Sequence, residues 1–469
     1  MGKQTSIVDT FISLVNELRA ELQSCKAEIA ELKVTIVLLQ AENAQLREAL
    51  SGRAQKANSQ NSSLPPSQDP FRSKDLSLRS KSGKASGGQK GHVGNTLEFS
   101  TVPTEVQQHF PQGACTNCGL GIKNEGSDQI IKERRQVVDI PLITPVITEH
   151  QLMRVYCSCG HCNEGQFPAQ VNARIQYGSR VQSLVGYLHT RQFMPFARMQ
   201  EFLGGLLGIP LSQGSIQNLL VREAKRLTPA YNRIKQQVMN SPVVGSDETG
   251  AVVNGSNHWF WTWQTPACTY IAAADSRGFK AVQQEFPEGF PNAILIHDCY
   301  GSQNKTQAKQ HQQCIAHLQR EIKKLQQIKQ VPWLDNFKKL IKDAIQTKAS
   351  LLPHQHHKRY EPVKKLFKRL HELIEDASKA PDDKNDLAAY TFYGRIRKHK
   401  EAILTFLTHF QVTPDNNASE RAIRNIKVKQ KVSGQFKSLE NAQVFAIIRS
   451  VIDTNIKNKI PLFSHEFGC

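Results

Sequence analysis

Three carboxylates in this chain of 469 residues stand where they could hold metal ions: Asp247, Asp298 and Glu420. Asp298 ends the apolar run that starts at Ala293, and Asp247 follows Val243 and Val244. Each therefore closes a buried strand, where an unpaired charge is costly unless a cation or hydrogen bonds compensate it. If the two strands are neighbours, both side chains can share one ion. Glu420 lies near the start of a helix that Asn416 or Asn417 can cap. Two divalent ions, Mg2+ or Mn2+, held about 3.5–4 Å apart can activate a water or a 3′-hydroxyl on one side of a phosphorus and stabilise the leaving oxygen on the other. Magnesium tolerates little error in geometry, so its ligands belong on rigid elements. Glu248 is expected on the opposite face of the strand from Asp247. The plain alternative for each acid is a cap on a loop or helix.

At about 100° per residue, Glu420, Arg424, Lys427 and Lys431 share one helix face, and Ala418, Ala422 and Ile426 lie on the other. One acid followed by three cations suits a DNA backbone running along the helix from a metal site. Arg421, Arg424, Lys427 and Lys431 are the DNA-contacting candidates. An i, i+4 salt bridge between Glu420 and Arg424 is the alternative, and it leaves the later cations unexplained.

Five of the ten cysteines gather at 115–162, a spacing for metal ligation rather than for a disulfide scaffold. Cys115 and Cys118 form a zinc knuckle by spacing, with Gly119 supplying the freedom the turn needs. The second half offers Cys157, Cys159, His161 and Cys162 for two places. Cys159 and Cys162 restore the two-residue gap, so a structural Zn2+ on Cys115, Cys118, Cys159 and Cys162 is expected. A redox dithiol is the alternative. Cys314 and His317 fall one helical turn apart, and a buried structural role is expected for them. His297, beside Asp298, reads as a core or surface histidine.

The elements that must position these groups follow from periodicity. Residues 1–50 carry apolar residues at 3-4 spacing, with Val15, Leu22, Ile29 and Ile36 at a and Leu18, Leu32, Leu39 and Leu46 at d. With Asn43 at an a position, this predicts a parallel two-stranded coiled coil and hence a homodimer or higher oligomer. Residues 51–101 are a flexible basic linker rich in Ser, Gly, Gln and Lys. Residues 102–172 form a small zinc-binding β module, with strands over 136–140 and 148–156. Residues 173–240 are helical, with helices at 181–192, 196–207 and 212–227. The break at Gly208-Ile-Pro-Leu-Ser resembles a helix-turn-helix, and a plain helical connector explains it equally well. Strands return at 243–249, 258–264, 269–274 and 293–297, the first pair joined by a hairpin turn at Asn254. Residues 303–410 read as Lys-rich helices. Three antiparallel strands, a connection, a further strand and then helices form an α/β domain of ribonuclease H-like order over 241–302 and 411–450, leaving 451–469 as a tail.

Sixty Lys and Arg against forty-one Asp and Glu give a formal charge of +19, which favours a polyanionic partner such as DNA. No stretch approaches the roughly 20 apolar residues of a membrane span, so a cytoplasmic location and no membrane partner are expected.

Asp247-Glu-Thr-Gly, His297-Asp-Cys-Tyr-Gly and Asn416-Asn-Ala-Ser-Glu-Arg-Ala-Ile-Arg, in this order, resemble the catalytic segments of the insertion sequence 66 transposase family. The likeness extends to the leading coiled coil, the segments at 61–67 and 87–94, the cysteine module, Cys314-Ile-Ala-His-Leu-Gln-Arg and Val432-Ser-Gly-Gln-Phe-Lys-Ser. It implies a transposase acting on the terminal inverted repeats of an element and on target DNA, with Asp247, Asp298 and Glu420 as ligands of two ions. It also implies that 303–410 is an insertion before the helix of Glu420. Aligning Gly165 and Phe167 with the family pattern makes Cys159 the last zinc ligand and Cys157 its partner. The rivals are a nuclease without strand transfer and a DNA-binding regulator or inactive relic.

Overall fold

The computed structural model describes residues 2–56, 91, 97–122, 129–328, 331–375 and 387–461. Most of the expected linker, with the segment at 61–67 and all but Gly91 of that at 87–94, lies outside them. The chain divides into two compact units, one of Met1–Leu76, Pro168–Gln200 and Leu211–Cys469, the other of Ser77–Phe167 and Glu201–Pro210.

Helix α1 (Gly2–Lys56) is continuous and runs past the expected boundary at 50. Its stripe, with Leu18, Leu22, Ile29, Leu32, Ile36, Leu39 and Leu46, is open to solvent in the single chain.

In the second unit, β1 (Arg154–Tyr156) and β2 (Cys162–Glu164) pair antiparallel, with Tyr156 opposite Cys162. The strands expected over 136–140 and 148–153 do not form. Alternation alone does not make a strand, because the backbone ladder needs a partner and the apolar face needs a surface to cover. Val137, Leu142, Val146 and Ile147 are all exposed instead.

Helices α2 (Ser179–Thr190), α3 (Phe196–Leu207) and α4 (Gln213–Met239) follow. Ser212 caps α4 by accepting the Ser215 amide at 3.0 Å. The helix runs well beyond the expected end at 227 and carries Pro229 in its interior. The lost hydrogen bond is outweighed by a buried face that continues through Leu227, Tyr231, Ile234 and Val238.

The central sheet has the order β5-β4-β3-β6-β7. It is built from β3 (Val243–Val253), β4 (Ser256–Gln264) and β5 (Thr269–Ala274), then helix α5 (Phe279–Glu285), β6 (Phe290–His297), helix α6 (Gly301–Lys305) and β7 (Ala308–Gln313). β4 pairs antiparallel with both β3 and β5, while β6 pairs parallel with β3 and β7 parallel with β6. The β3–β4 turn is Asn254-Gly255, both with positive φ, the conformation a two-residue hairpin turn demands. β7 was expected to be helical. Its sequence is polar throughout, and it is held by the fixed partners of its glutamines: Gln312 donates to the Ile403 carbonyl at 3.0 Å and accepts from the Phe406 amide at 2.7 Å.

Helices α7 (Ile315–Ile328), α8 (Pro332–Ser350), α9 (Glu361–Glu375), α10 (Leu387–Lys398) and α11 (Thr405–Thr408) come next. They share a core of Trp333, Phe337, Leu370, Phe392 and Phe406 with Ile294 and Ile296 of β6. Helix α12 (Asn417–Ser433) packs on β3 and β4, and α13 (Leu439–Lys457) packs on β5, α4 and α2. The tail expected from 451 is instead the last part of α13. Val451 and Ile452 are buried, and Asp453 pairs with Arg449 and Arg191 at 2.8 and 2.9 Å.

Candidate active site

The parallel pairing of β3 and β6 aligns Val244 with Leu295 and Gly245 with Ile296. Two residues further along stand Asp247, still within β3, and Asp298, just past the end of β6, so the register sets the two acids abreast at the carboxyl end of the parallel pair. Burial holds the Asp247 carboxyl well above the usual carboxylate range, and the charges of Glu248, Asp298 and Glu420 push it the same way. Four acids from three remote segments thus share one neighbourhood, although the oxygens of Asp247, Asp298 and Glu420 do not all lie within 4.8 Å of one another. One oxygen of Asp298 accepts the Tyr300 amide at 2.9 Å, the loop-capping role foreseen as an alternative.

Glu420 reaches this spot through Asn416. That residue takes the N-cap position of α12 but forms no side-chain cap. Its amide donates to the Ser246 carbonyl at 2.6 Å, and its oxygen accepts from the Ser419 hydroxyl at 2.6 Å. A buried β3 carbonyl thereby gains a donor, and the helix head is tied beside Asp247. Gly245 makes this approach possible, since a Cβ there would lie 2.5 Å from the Ser419 hydroxyl oxygen and 2.9 Å from the Asn416 side-chain oxygen.

Glu420 is buried and doubly bonded. Its Oε1 accepts from Arg320 at 2.7 Å and its Oε2 from Arg424 at 2.9 Å, the i, i+4 pair weighed above. His317 Nδ1 lies 3.5 Å from Oε1. The buried face of α12 carries Ser419, Glu420, Ile423, Ile426, Lys429 and Gln430, so Glu420 turns inward with Ile426 and is separated from exposed Arg424 and Lys431, with which a shared face was expected. Packing against two strands selects this face, which places Glu420 inward and the cations at its margin. Arg421, Arg424 and Lys431 are exposed. Lys427 turns inward and donates to the Gly250 carbonyl at 2.6 Å, so that cation is spent on β3 rather than offered to solvent.

Glu248 is also buried. Its Oε1 accepts from Arg277 Nε and Nη2 at 2.9 and 2.7 Å, and its Oε2 from Gln303 at 2.7 Å. Burial and the nearby Asp298 charge raise its carboxyl to about 7 against the pull of Arg277. The Arg277 guanidinium lies 3.7 Å from the Tyr300 ring centre and 4.9 Å from that of Trp259. Sequence reasoning missed Arg277, which stands in an unremarkable Asp275-Ser-Arg-Gly turn, and Arg320. The latter was within reach, because it belongs to the Cys314–Arg320 segment already singled out.

His297 is a core histidine. Its Nδ1 contacts the Asp298 carbonyl, its Nε2 meets His311 Nδ1 at 2.9 Å, and burial lowers its pKa to about 3. Cys314 is fully buried and accepts the Asn416 amide at 3.2 Å, as a structural role requires, and burial raises its thiol to about 11. His317, however, is drawn to Glu420.

In the second unit each half of the cysteine cluster forms its own turn. The Cys115 carbonyl accepts from Gly119 and its amide donates to Leu120. The Cys157 carbonyl accepts from Gly160 and its amide donates to His161. Gly119 and Gly160 both have positive φ. The second turn is therefore built on Cys157 and Cys159, while Cys162 belongs to β2. Among the described residues the two halves are not within joint ligand distance. The one set of three potential ligands that is, within 4.8 Å of one another, is Cys314, His317 and Glu420.

Among the described residues no helix is long and apolar enough to cross a membrane. A family of unknown function, DUF6444, matches residues 14–98. No curated protein matches the chain. The model of the Transposase IS66 family matches residues 174–444, from ahead of α2 into α13 and thus across every strand of the central sheet. With more than half of its length matched, the chain belongs to the IS66 family of transposases.

Proposed function

We propose that this transposase cleaves DNA at the ends of an insertion element and joins the freed 3′-hydroxyl to target DNA, with Asp247, Asp298 and Glu420 as the metal-holding acids. The observation that carries this is the half-buried Asp247 carboxyl, set abreast of Asp298 by the strand register and pushed upward by the charges of Asp298 and Glu420. An all-oxygen donor set of this kind fits a hard cation. Two ions, Mg2+ or Mn2+, would supply the activation of the attacking oxygen and the stabilisation of the leaving one. Asp247 and Asp298 hold fixed positions on neighbouring strands, and Glu420 closes the site from α12. Arg320 and Arg424 neutralise Glu420 until a cation takes their place. The strand order and the acids at the end of the parallel pair support a ribonuclease H-like reading.

Arg421, Arg424 and Lys431 present positive charge to the backbone of terminal repeats or target DNA. The open stripe of α1 supports a coiled-coil dimer, which would bring two catalytic domains to two element ends. A structural Zn2+ on Cys115, Cys118 and two thiols of the 157–162 segment would stabilise the second unit by closing its two turns, which stand apart in this structure, on one ion.

Pre-cut element ends incubated with a target plasmid and Mg2+ test the proposal. Joined products from the wild type and none from Asp247→Ala are expected. Cut but unjoined DNA would favour a nuclease, and joining by Asp247→Ala would overturn the assignment of the acids.

A further inference from the structure

Cys314 is anchored on three sides. Its amide donates to the His297 carbonyl at 2.7 Å, its sulfur accepts the Asn416 amide at 3.2 Å, and it immediately precedes α7. Burial keeps the Cys314 thiol protonated in the free protein, and the helix N-terminus it precedes favours the thiolate that a bound cation would require. One turn on, His317 Nδ1 is shielded from solvent and makes no hydrogen bond. Its nearest acid oxygen is Glu420 Oε1, at 3.5 Å. The sulfur, the imidazole nitrogen and the carboxylate oxygen all lie within 4.8 Å of one another. Magnesium prefers oxygen alone, whereas one sulfur, one nitrogen and one carboxylate oxygen with a fourth place for water make a zinc-type set.

We propose that Cys314, His317 and Glu420 bind a thiophilic divalent cation of the Zn2+ class, and that this ion draws Glu420 away from Asp247 and Asp298. The ion replaces the Arg320 bond to Glu420 and displaces the thiol proton to solvent. Its effect on catalysis rests on the reading of Glu420 as a metal-holding acid; its binding does not. The centre would then respond in opposite senses to two metals, with Mg2+ supporting the reaction and Zn2+ opposing it.

The probe is Co2+, titrated into the full-length wild type, Cys314→Ser and His317→Ala, each checked for folding by circular dichroism. The cysteines at 115–162 contribute equally to all three and cancel in the difference. The wild type is expected to bind about one equivalent more than either variant, with additional sulfur-to-cobalt charge-transfer intensity that Cys314→Ser lacks. Equal stoichiometry in a folded variant, from either substitution, overturns the site. A second arm adds Zn2+ to Mg2+-supported cleavage, each protein normalised to its own Mg2+ rate. Inhibition of the wild type with little effect on His317→Ala supports the antagonism, and equal inhibition overturns it. A wild type that binds the extra Co2+ but never cleaves DNA would sink the catalytic reading and leave the site standing.

Discussion

Asn416 donates its side-chain amide to the carbonyl of Ser246 at 2.6 Å, joining the head of the Glu420 helix to the strand residue that precedes Asp247. The helix that carries the third acid is thus positioned by a backbone-directed bond, while Arg320 and Arg424 hold the carboxylate itself. The closeness of that junction depends on Gly245, where an added Cβ would fall 2.5 Å from the Ser419 hydroxyl oxygen. Gly245→Ala is expected to push α12 outward, with a stability loss of about 1–3 kcal/mol and a larger fall in cleavage rate. Thermal unfolding and an end-cleavage assay check this, and wild-type rates in the variant would refute the role of the junction.

Arg277 compensates the buried Glu248. Arg277→Ala leaves that carboxylate with Gln303 alone and should cost about 1–3 kcal/mol, discounted because the guanidinium is partly exposed. Glu248→Gln in the same chain should recover most of the loss. A double-mutant cycle by chemical denaturation measures the coupling, and additive losses would exclude it.

The cations of α12 divide by their surroundings. Arg421→Ala and Lys431→Ala should weaken DNA binding and reduce the slope of log K against log salt by about one unit each. Lys427→Ala should instead lower stability, because its ammonium satisfies the Gly250 carbonyl. Fluorescence anisotropy across a salt series separates the two; a slope change only in Lys427→Ala would reverse the assignment.

His189 is held neutral, its pKa lowered to about 3 by burial first and by the Lys429 charge second. The unfolded chain takes up this proton near pH 6.5 and the folded chain does not, so stability falls as pH drops below 6.5 and stops falling near 3. His189→Leu should flatten that decline between pH 6.5 and 5, above the range of ordinary carboxylates. Parallel pH profiles for the two proteins would contradict it.

The two cysteine turns make different demands on their residues. Bound zinc per chain should fall in Cys157→Ser and Cys115→Ser and hold in Cys162→Ser. Atomic absorption on purified protein decides, and loss in Cys162→Ser with retention in Cys157→Ser would restore the spacing-based choice.

Legibility in the sequence followed the range of the interactions. β3 and β6 could be read because their apolar runs and the Asn254-Gly255 turn are local signals, and Asp298 just past β6 came with them, whereas Asp247 lies inside β3 and does not close it as expected. β7 could not, since its buried residues are Gln312 and Gln313, and Gln312 finds its partners at Ile403 and Phe406. The course of α4 past Pro229 and the pairing of Arg277 with Glu248 are likewise tertiary outcomes. The separation of Glu420 from Arg424 and Lys431 on α12 has the same origin: helical periodicity gives the spacing of its residues but not which side meets the sheet. At 136–140 the error ran the other way, an alternating pattern with no strand to pair with.

The polar strand that escaped notice ends the central sheet on one side. Its outer backbone groups would otherwise offer a template on which another chain could add a strand, and exposed Lys309 and Gln310 there favour water over a docking partner. A more apolar β7 would be easier to recognise in the sequence, but it would invite edge-to-edge aggregation in a protein whose copies are expected to meet through their leading helices.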